Sequence, residues 1–553
     1  MNINLFSSRN RRAELLAADL ERKSGEQTVY FESQEEALEE RRRCERASFF
    51  FLSEDENRNL TDALALLRRS EVAEDAGIRV YVFSSSDVAR TVLDSLNPVG
   101  AELFLIDPLE IMAQKLMLDH PLYEAPDRLK AEELCVTVIG GGEAIPALEK
   151  TVQWCGRMKS YIMKLNVIGP NARAFETEMK LRNPGLFTQM TQENLDMQER
   201  GLITPELYLP LKLTRTLYYQ ADTDSEELEL ALDKCLASNY IIVDEGDDEK
   251  TLRTAMFVRA HFIRKHILHE NYLSGGKVNV TLLPDIYVRI RDELLSEIVP
   301  ELKVEGNAAD PGRDELRLVP FGSDRDVYRR ENMVDTELEK LARVLFPEEF
   351  AAGSAPEESA VEFTAGSADD EGSAGDADGS AKAGSKRLPV STRRMLCASA
   401  AHLKYKMRDM GFVEKKAEDP IYCAENYPEL HEADEEEIEG KIESMKFELA
   451  ALEHQRWAIF KLCDGWIPID DNHALKYGRL LGGGIREHRQ FAGKMNAACI
   501  EVSRLSGAGT KLCGNPSYFT AYDRRTGMAT YQTLKEVCPE MKFVSLFNDA
   551  IEE

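Results

Sequence analysis

No Cys-x-x-Cys pair occurs among the ten cysteines, so neither a zinc ribbon nor a disulfide framework is encoded, and this usage fits a reducing compartment. No apolar run approaches the roughly 20 residues that cross a bilayer as a helix, which argues against direct membrane insertion. Basic charge is in deficit. The 69 Lys and Arg against 98 Asp and Glu leave a net −29, a field that repels nucleic acid and anionic membrane surfaces unless a local basic patch opposes it. None is evident, so no nucleic-acid partner is expected. Catalytic signatures are missing too: there is no GxSxG elbow, no HExxH pair and no Walker lysine, and Gly482-Gly483-Gly484 lacks a following Lys-Ser or Lys-Thr. His261, His266 and His269 cluster, but the spacing supplies neither a third ligand nor a carboxylate partner, so no metal site is expected. The opening MNINLFSSRNRR places apolar residues before basic ones, the reverse of a secretory signal, which points to a cytoplasmic location.

A chain of 553 residues exceeds one hydrophobic core and implies three or four folded units. In the first 125 residues, short apolar strands at Ile3 to Phe6, Thr28 to Phe31, Ser48 to Leu52, Arg79 to Phe83 and Glu102 to Ile106 alternate with helix-length segments. That alternation predicts βαβ units and a parallel sheet. Residues Leu15, Leu16 and Leu20, and then Leu60, Ala63, Leu64 and Leu67, carry the helical period. The same grammar restarts at Cys135, runs through YIMKLNVIG, TRTLYYQ, NYIIVDEG and KVNVTLL, and closes with a strand before Phe321-Gly322. Two α/β, doubly wound, Rossmann-like units in tandem are therefore predicted, over residues 1–125 and 131–346. The stretch 347–390 is rich in Gly, Ser, Ala and acid without apolar periodicity and reads as a disordered linker. Residues 391–553 form a mainly α-helical third domain, with helices predicted over Thr392 to Met410 and Glu436 to Leu462.

The Gly140-Gly141-Gly142 turn follows a predicted strand and opens a predicted helix, where backbone N–H groups can meet a phosphate. Gly140 and Gly142 match two glycines of a dinucleotide fingerprint, Ile145 replaces the third, and Glu143 opens the helix beside them. The acid expected after the second strand is absent, since Ile168-Gly169-Pro170-Asn171 stands there. Two readings remain open at this point: phosphate binding, or a tight strand-to-helix turn. The corresponding turn of the first unit, Phe6-Ser7-Ser8-Arg9-Asn10, has no glycine and marks a degenerate half.

The phrases QADTDSEELELAL and IIVDEGDDEKTLRTA, with Asp222 and Asp247-Asp248 in acidic turns after strands, resemble the TrkA-N or RCK domains of potassium-transport regulators. The resemblance implies a fold that binds NAD or an adenine nucleotide and reports occupancy by domain movement. Gly140, Gly142, Glu143, Asp222 and Asp247 are then the candidate cofactor-binding residues. Farther on, ELAALEHQRWAIFKLCDGW resembles the RyR domain, through Glu453, His454, Arg456, Trp457, Gly465 and Trp466. The later half of that pattern departs, with Cys538 where the family carries histidine. Helical spacing sets Glu453, Arg456 and Trp457 within one turn, where a purine could stack on Trp457 or Trp466 and be oriented by Arg456 and Glu453. The alternative is a Glu453–Arg456 pair with the indoles in a core.

Together these features point to a cytosolic regulatory sensor that binds a nucleotide-like small molecule, without catalytic residues, in stress or antiviral signalling. Its assembly as a homo-oligomer is left open. The alternatives are an NAD(P)-dependent oxidoreductase and a soluble gating subunit of an ion channel.

Overall fold

The computed structural model describes residues 2–96, 100–187, 214, 216–273, 283–299, 318–334, 336–352, 388–416, 419, 421–465, 467–468, 495–496 and 521–546. Most of the 347–390 linker, Trp466 and Gly482 to Gly484 lie outside the described residues. The chain divides into two compact units, one formed by Met1–Asp107, Arg329–Cys397 and Thr520–Tyr522, the other by Pro108–Tyr328, Ala398–Phe519 and Asp523–Glu553.

In the first unit, strands β1 (Asn2–Phe6), β2 (Gln27–Tyr30), β3 (Arg46–Phe51), β4 (Ile78–Phe83) and β5 (Glu102–Ile106) form a parallel sheet in the order β2-β1-β3-β4-β5. Asn10 accepts from Ala13 N to start the Arg11–Ser24 helix, and Gly25 in the left-handed region (φ 65°) ends it. Leu5, Phe49, Val80, Val82 and Leu103 bury one face of the sheet together with Ala63, Leu66, Ala89 and Leu93 from the connecting helices. On the other face, register partners Phe6, Phe50, Tyr81 and Phe104 stack ring on ring, at centroid spacings of 4.6, 4.7 and 4.5 Å. Tyr30 extends the ladder to β2, Arg9 lies over Tyr30, and Arg393 lies 4.3 Å over Phe104. The strand order is the 2-1-3-4-5 arrangement of a doubly wound α/β sheet, since the chain reverses direction after its second strand, in keeping with the expected α/β, parallel-sheet unit.

The second unit holds a six-stranded parallel sheet of β6 (Glu133–Ile139), β7 (Ile162–Gly169), β8 (Thr216–Gln220), β9 (Tyr240–Val243), β10 (Asp285–Arg289) and β11 (Leu318–Phe321). Its order, β11-β10-β9-β6-β7-β8, is the 3-2-1-4-5-6 arrangement of dinucleotide-binding folds counted from β6. Pro320 is tolerated because β11 is an edge. The strand expected in KVNVTLL lies almost wholly outside the described residues, and the paired strand is the next segment, Asp285–Arg289.

Each long C-terminal helix anticipated from the sequence is broken once. Val390–Ala401 is separated from Leu403–Asp409 at His402, and Glu435–Ser444 from Lys446–Cys463 at Met445. Strands β12 (Phe412–Glu414), β13 (His431–Glu432) and β16 (Phe543–Ser545) form a small antiparallel sheet, while the two-residue strands β14 (Ile467–Pro468) and β15 (Met495–Asn496) pair with each other. Residues from 398 onward fall in the second unit and take several of their polar partners from residues 117–161. Tyr405 OH donates to Met117 O (3.0 Å) and accepts from Leu122 N (3.1 Å). Arg408 grips the buried Asp127 carboxylate through two nitrogens, and Tyr161 and Tyr422 donate to the same group. Asp409 accepts from Lys159 N (2.7 Å) and Ser160 N (3.0 Å). Among the described residues no helix is long and apolar enough to cross a membrane.

Candidate functional site

A doubly wound sheet leaves a crevice at the carboxyl ends of the two strands flanking its reversal, here β6 and β9. The Gly140-Gly141-Gly142 turn lies there, ahead of the Ile145–Cys155 helix. Gly140 has φ 128°, a conformation side chains rarely adopt, and a Cβ on it would overlap the Asp244 carbonyl oxygen. A Cβ on Gly142 would overlap the Asp244 carboxylate. The space beside Gly142 holds Asp244, the first residue past β9 and 1% exposed.

This carboxylate takes the position of an anion at a helix start. It accepts from Ala144 N (3.1 Å), Gly246 N (3.0 Å) and Arg289 Nη1 (3.0 Å), and its own backbone carbonyl accepts from Gly142 N (2.9 Å). Arg289, the last residue of β10, also reaches Glu143 (3.2 Å), as does Arg291 (3.1 Å). The Glu245 side chain is covered, accepting from Thr254 Oγ1 (3.0 Å) with Lys250 Nζ 3.5 Å away. Asp247 is exposed and caps the Asp248–Leu273 helix by accepting from Lys250 N (2.9 Å). Asp248 accepts from the Arg291 and Asp292 amides and so ties the end of β10 to the start of that helix.

Of the sequence candidates, the fold therefore brings Gly140, Gly142, Glu143 and Asp247 to one edge. Asp222 lies past the end of β8, with β7 between it and β6, and its carboxylate accepts from Asp224 N within its own turn. Asp244, Arg289 and Arg291 escaped sequence reasoning. Their signal was a charged residue at or just past the end of a strand, obscured for the arginines because the strand was placed at KVNVTLL rather than at DIYVR.

The RyR-like residues occupy the interior. Trp457 is 1% exposed, and Glu453 and Arg456 are fully buried. Glu453 accepts from Arg456 Nη2 (2.7 Å), pairs with the equally buried Lys406 Nζ (2.6 Å) and accepts from Ser399. Burial pushes the Glu453 carboxyl up, but Arg456 and Lys406 together hold it well below the usual carboxylate range. The expectation that a purine stacks on Trp457, oriented by Arg456 and Glu453, is corrected: the indole has no accessible face and the two charges are committed to a buried cluster. Trp466, the other expected stacking residue, lies outside the described residues. Nearby His402 is neutral, pushed down to about 3 by burial and by Lys406.

His261, in place of a solvated face, is buried with Nε2 3.1 Å from Asp233. No group of three metal-binding side chains occurs among the described residues. No protein-family model matches the chain, and no match is found among curated proteins or solved structures.

Proposed function

We propose that the protein is a cytosolic regulatory sensor whose second unit receives a nucleotide-derived anion at the carboxyl edge of β6, β9 and β10, without chemistry on the ligand. The observation that supports this best is the carboxylate of Asp244, held where a bound phosphate would sit, by two backbone N–H groups and Arg289. The neighbouring side chains include the acids Glu143, Glu245, Asp247 and Asp248, so an incoming anion gains most by displacing Asp244 from these donors. Displacement would shift the Asp244 to Asp247 turn that caps the Asp248–Leu273 helix, so ligand binding would favour one arrangement of that helix over another. The test is calorimetric titration of the full chain with NAD, ATP, ADP, AMP and cyclic nucleotides. At least one should bind, and Arg291→Ala should weaken it about ten- to a hundred-fold, the value of one charge-assisted hydrogen bond. Absence of binding at millimolar concentration, or an affinity indifferent to Arg291→Ala, refutes the site; NAD(P)-linked turnover refutes the non-enzymatic reading.

A further inference from the structure

Glu149 and Gln153 of the Ile145–Cys155 helix, and Arg157 just beyond it, recur every fourth residue and form a buried polar stripe. They meet alternate residues of the segment that forms β8. Tyr218 OH donates to Glu149 Oε1, Gln153 Nε2 donates to Thr216 Oγ1 (3.4 Å), and Arg157 Nη2 donates to Thr214 Oγ1 (2.7 Å). Among the described residues strand β8 is the sheet's edge and pairs with β7 alone, and this seam is a second attachment. Glu149 is wholly buried, its Oε2 accepts no hydrogen bond, and it makes no ion pair among the described residues.

The charged and titratable groups around it are Lys150 and Arg157 in its own segment, Tyr218 on β8, Cys463 at the end of the Lys446–Cys463 helix, and Glu176 of the Ala172–Arg182 helix, which acts on Tyr218. Burial pushes the Cys463 thiol up to about 12, raises the Tyr218 phenol and brings Arg157 down to about 10, so these three keep their charge states through neutral pH. Burial also raises the Glu149 carboxyl to about 7, against the hydrogen bonds from Tyr218 and Thr216.

We propose that Glu149 is a proton-operated latch: as a neutral acid it holds β8 closed on the helix, and on losing its proton it opens that seam. A buried carboxylate without a cation is strongly disfavoured, and opening restores its water. The sign follows from the raised value. The closed seam binds the proton more tightly than the open one, so closure is strongest at low pH and weakens as pH rises through about 7.

The test is hydrogen–deuterium exchange of the full chain, following amides 216–220 from pH 5 to 8 after correction for the intrinsic rate. The opening equilibrium of the wild type should rise more than about tenfold between pH 5 and 7 and then level off. Glu149→Gln, which cannot ionise, should give a flat profile. Tyr218→Phe removes a donor to the carboxylate and should move the rise to higher pH, which decides the matter if Glu149→Gln does not fold. A flat wild-type profile, a rise that persists in Glu149→Gln, or a Tyr218→Phe profile that does not move overturns the latch.

Discussion

Replacing Glu453 by Gln removes one negative charge while keeping the side chain's shape, and leaves Lys406 and Arg456 in an interior where neither is exposed. Removing one partner of a buried ion cluster costs about 3–5 kcal/mol, because the remaining charges lose the carboxylate that offset their desolvation. For a unit of this size each kcal/mol moves the melting temperature by roughly 2–4 °C, giving a fall of roughly 6–20 °C. Lys406→Met removes one of two cations and leaves the Glu453–Arg456 pair and the Ser399 hydrogen bond, so its cost should be smaller, about 1–3 kcal/mol. Urea unfolding followed by tryptophan fluorescence is the natural assay, because the described tryptophans, Trp154 and Trp457, both belong to the second unit. Since the carboxyl is held below its ordinary range, its contribution is present above that range and is lost only as pH falls through the lowered value; the Glu453→Gln deficit should therefore be constant from pH 5 to 8. A loss below about 1 kcal/mol, or a Lys406→Met variant as damaged as Glu453→Gln, would refute the buried-cluster account and reopen this helix as a binding face.

Gly142→Ala forces a methyl group into the Asp244 carboxylate and should destabilise the second unit by about 1–3 kcal/mol in the same assay; unchanged stability would show that Asp244 does not fill that space. Phe50→Ala removes the ring between Phe6 and Tyr81 and should cost the first unit about 3–5 kcal/mol by calorimetry, whereas a loss under about 1 kcal/mol would contradict a packed ladder.

Much of the fold was legible because each strand is a local event. The first five strands fall within two residues of their sequence-derived positions at each end, since apolar runs bounded by polar turns mark buried parallel strands. Strand order was not legible, because it is decided by packing between segments far apart in sequence. The breaks at His402 and Met445 also escaped, as neither carries proline or glycine to announce itself. At the site, glycine was found but its partner was not. Gly142 and Asp244 lie about a hundred residues apart, and nothing local says that a turn needs its glycine to admit a carboxylate from its own chain. Spacing likewise put Glu453, Arg456 and Trp457 on one stretch of helix, yet burial depended on Lys406, 47 positions earlier.

The aromatic ladder of the first unit acts as an alignment check as much as a source of cohesion. Its rings belong to register partners on five strands, and neighbouring side chains on a strand point to opposite faces, so sliding any one strand by a single residue carries its ring through to the wrong side. A slip of β3 would break two stacks at once and set Phe49 or Phe51, which belong to the helix-covered core, where Phe50 should stand. With phenylalanines at 49, 50 and 51, hydrophobicity alone could not tell these alignments apart; the aromatic partners at Phe6 and Tyr81 can, and the arginines over the terminal rings, Arg9 on Tyr30 and Arg393 on Phe104, mark where the count begins and ends.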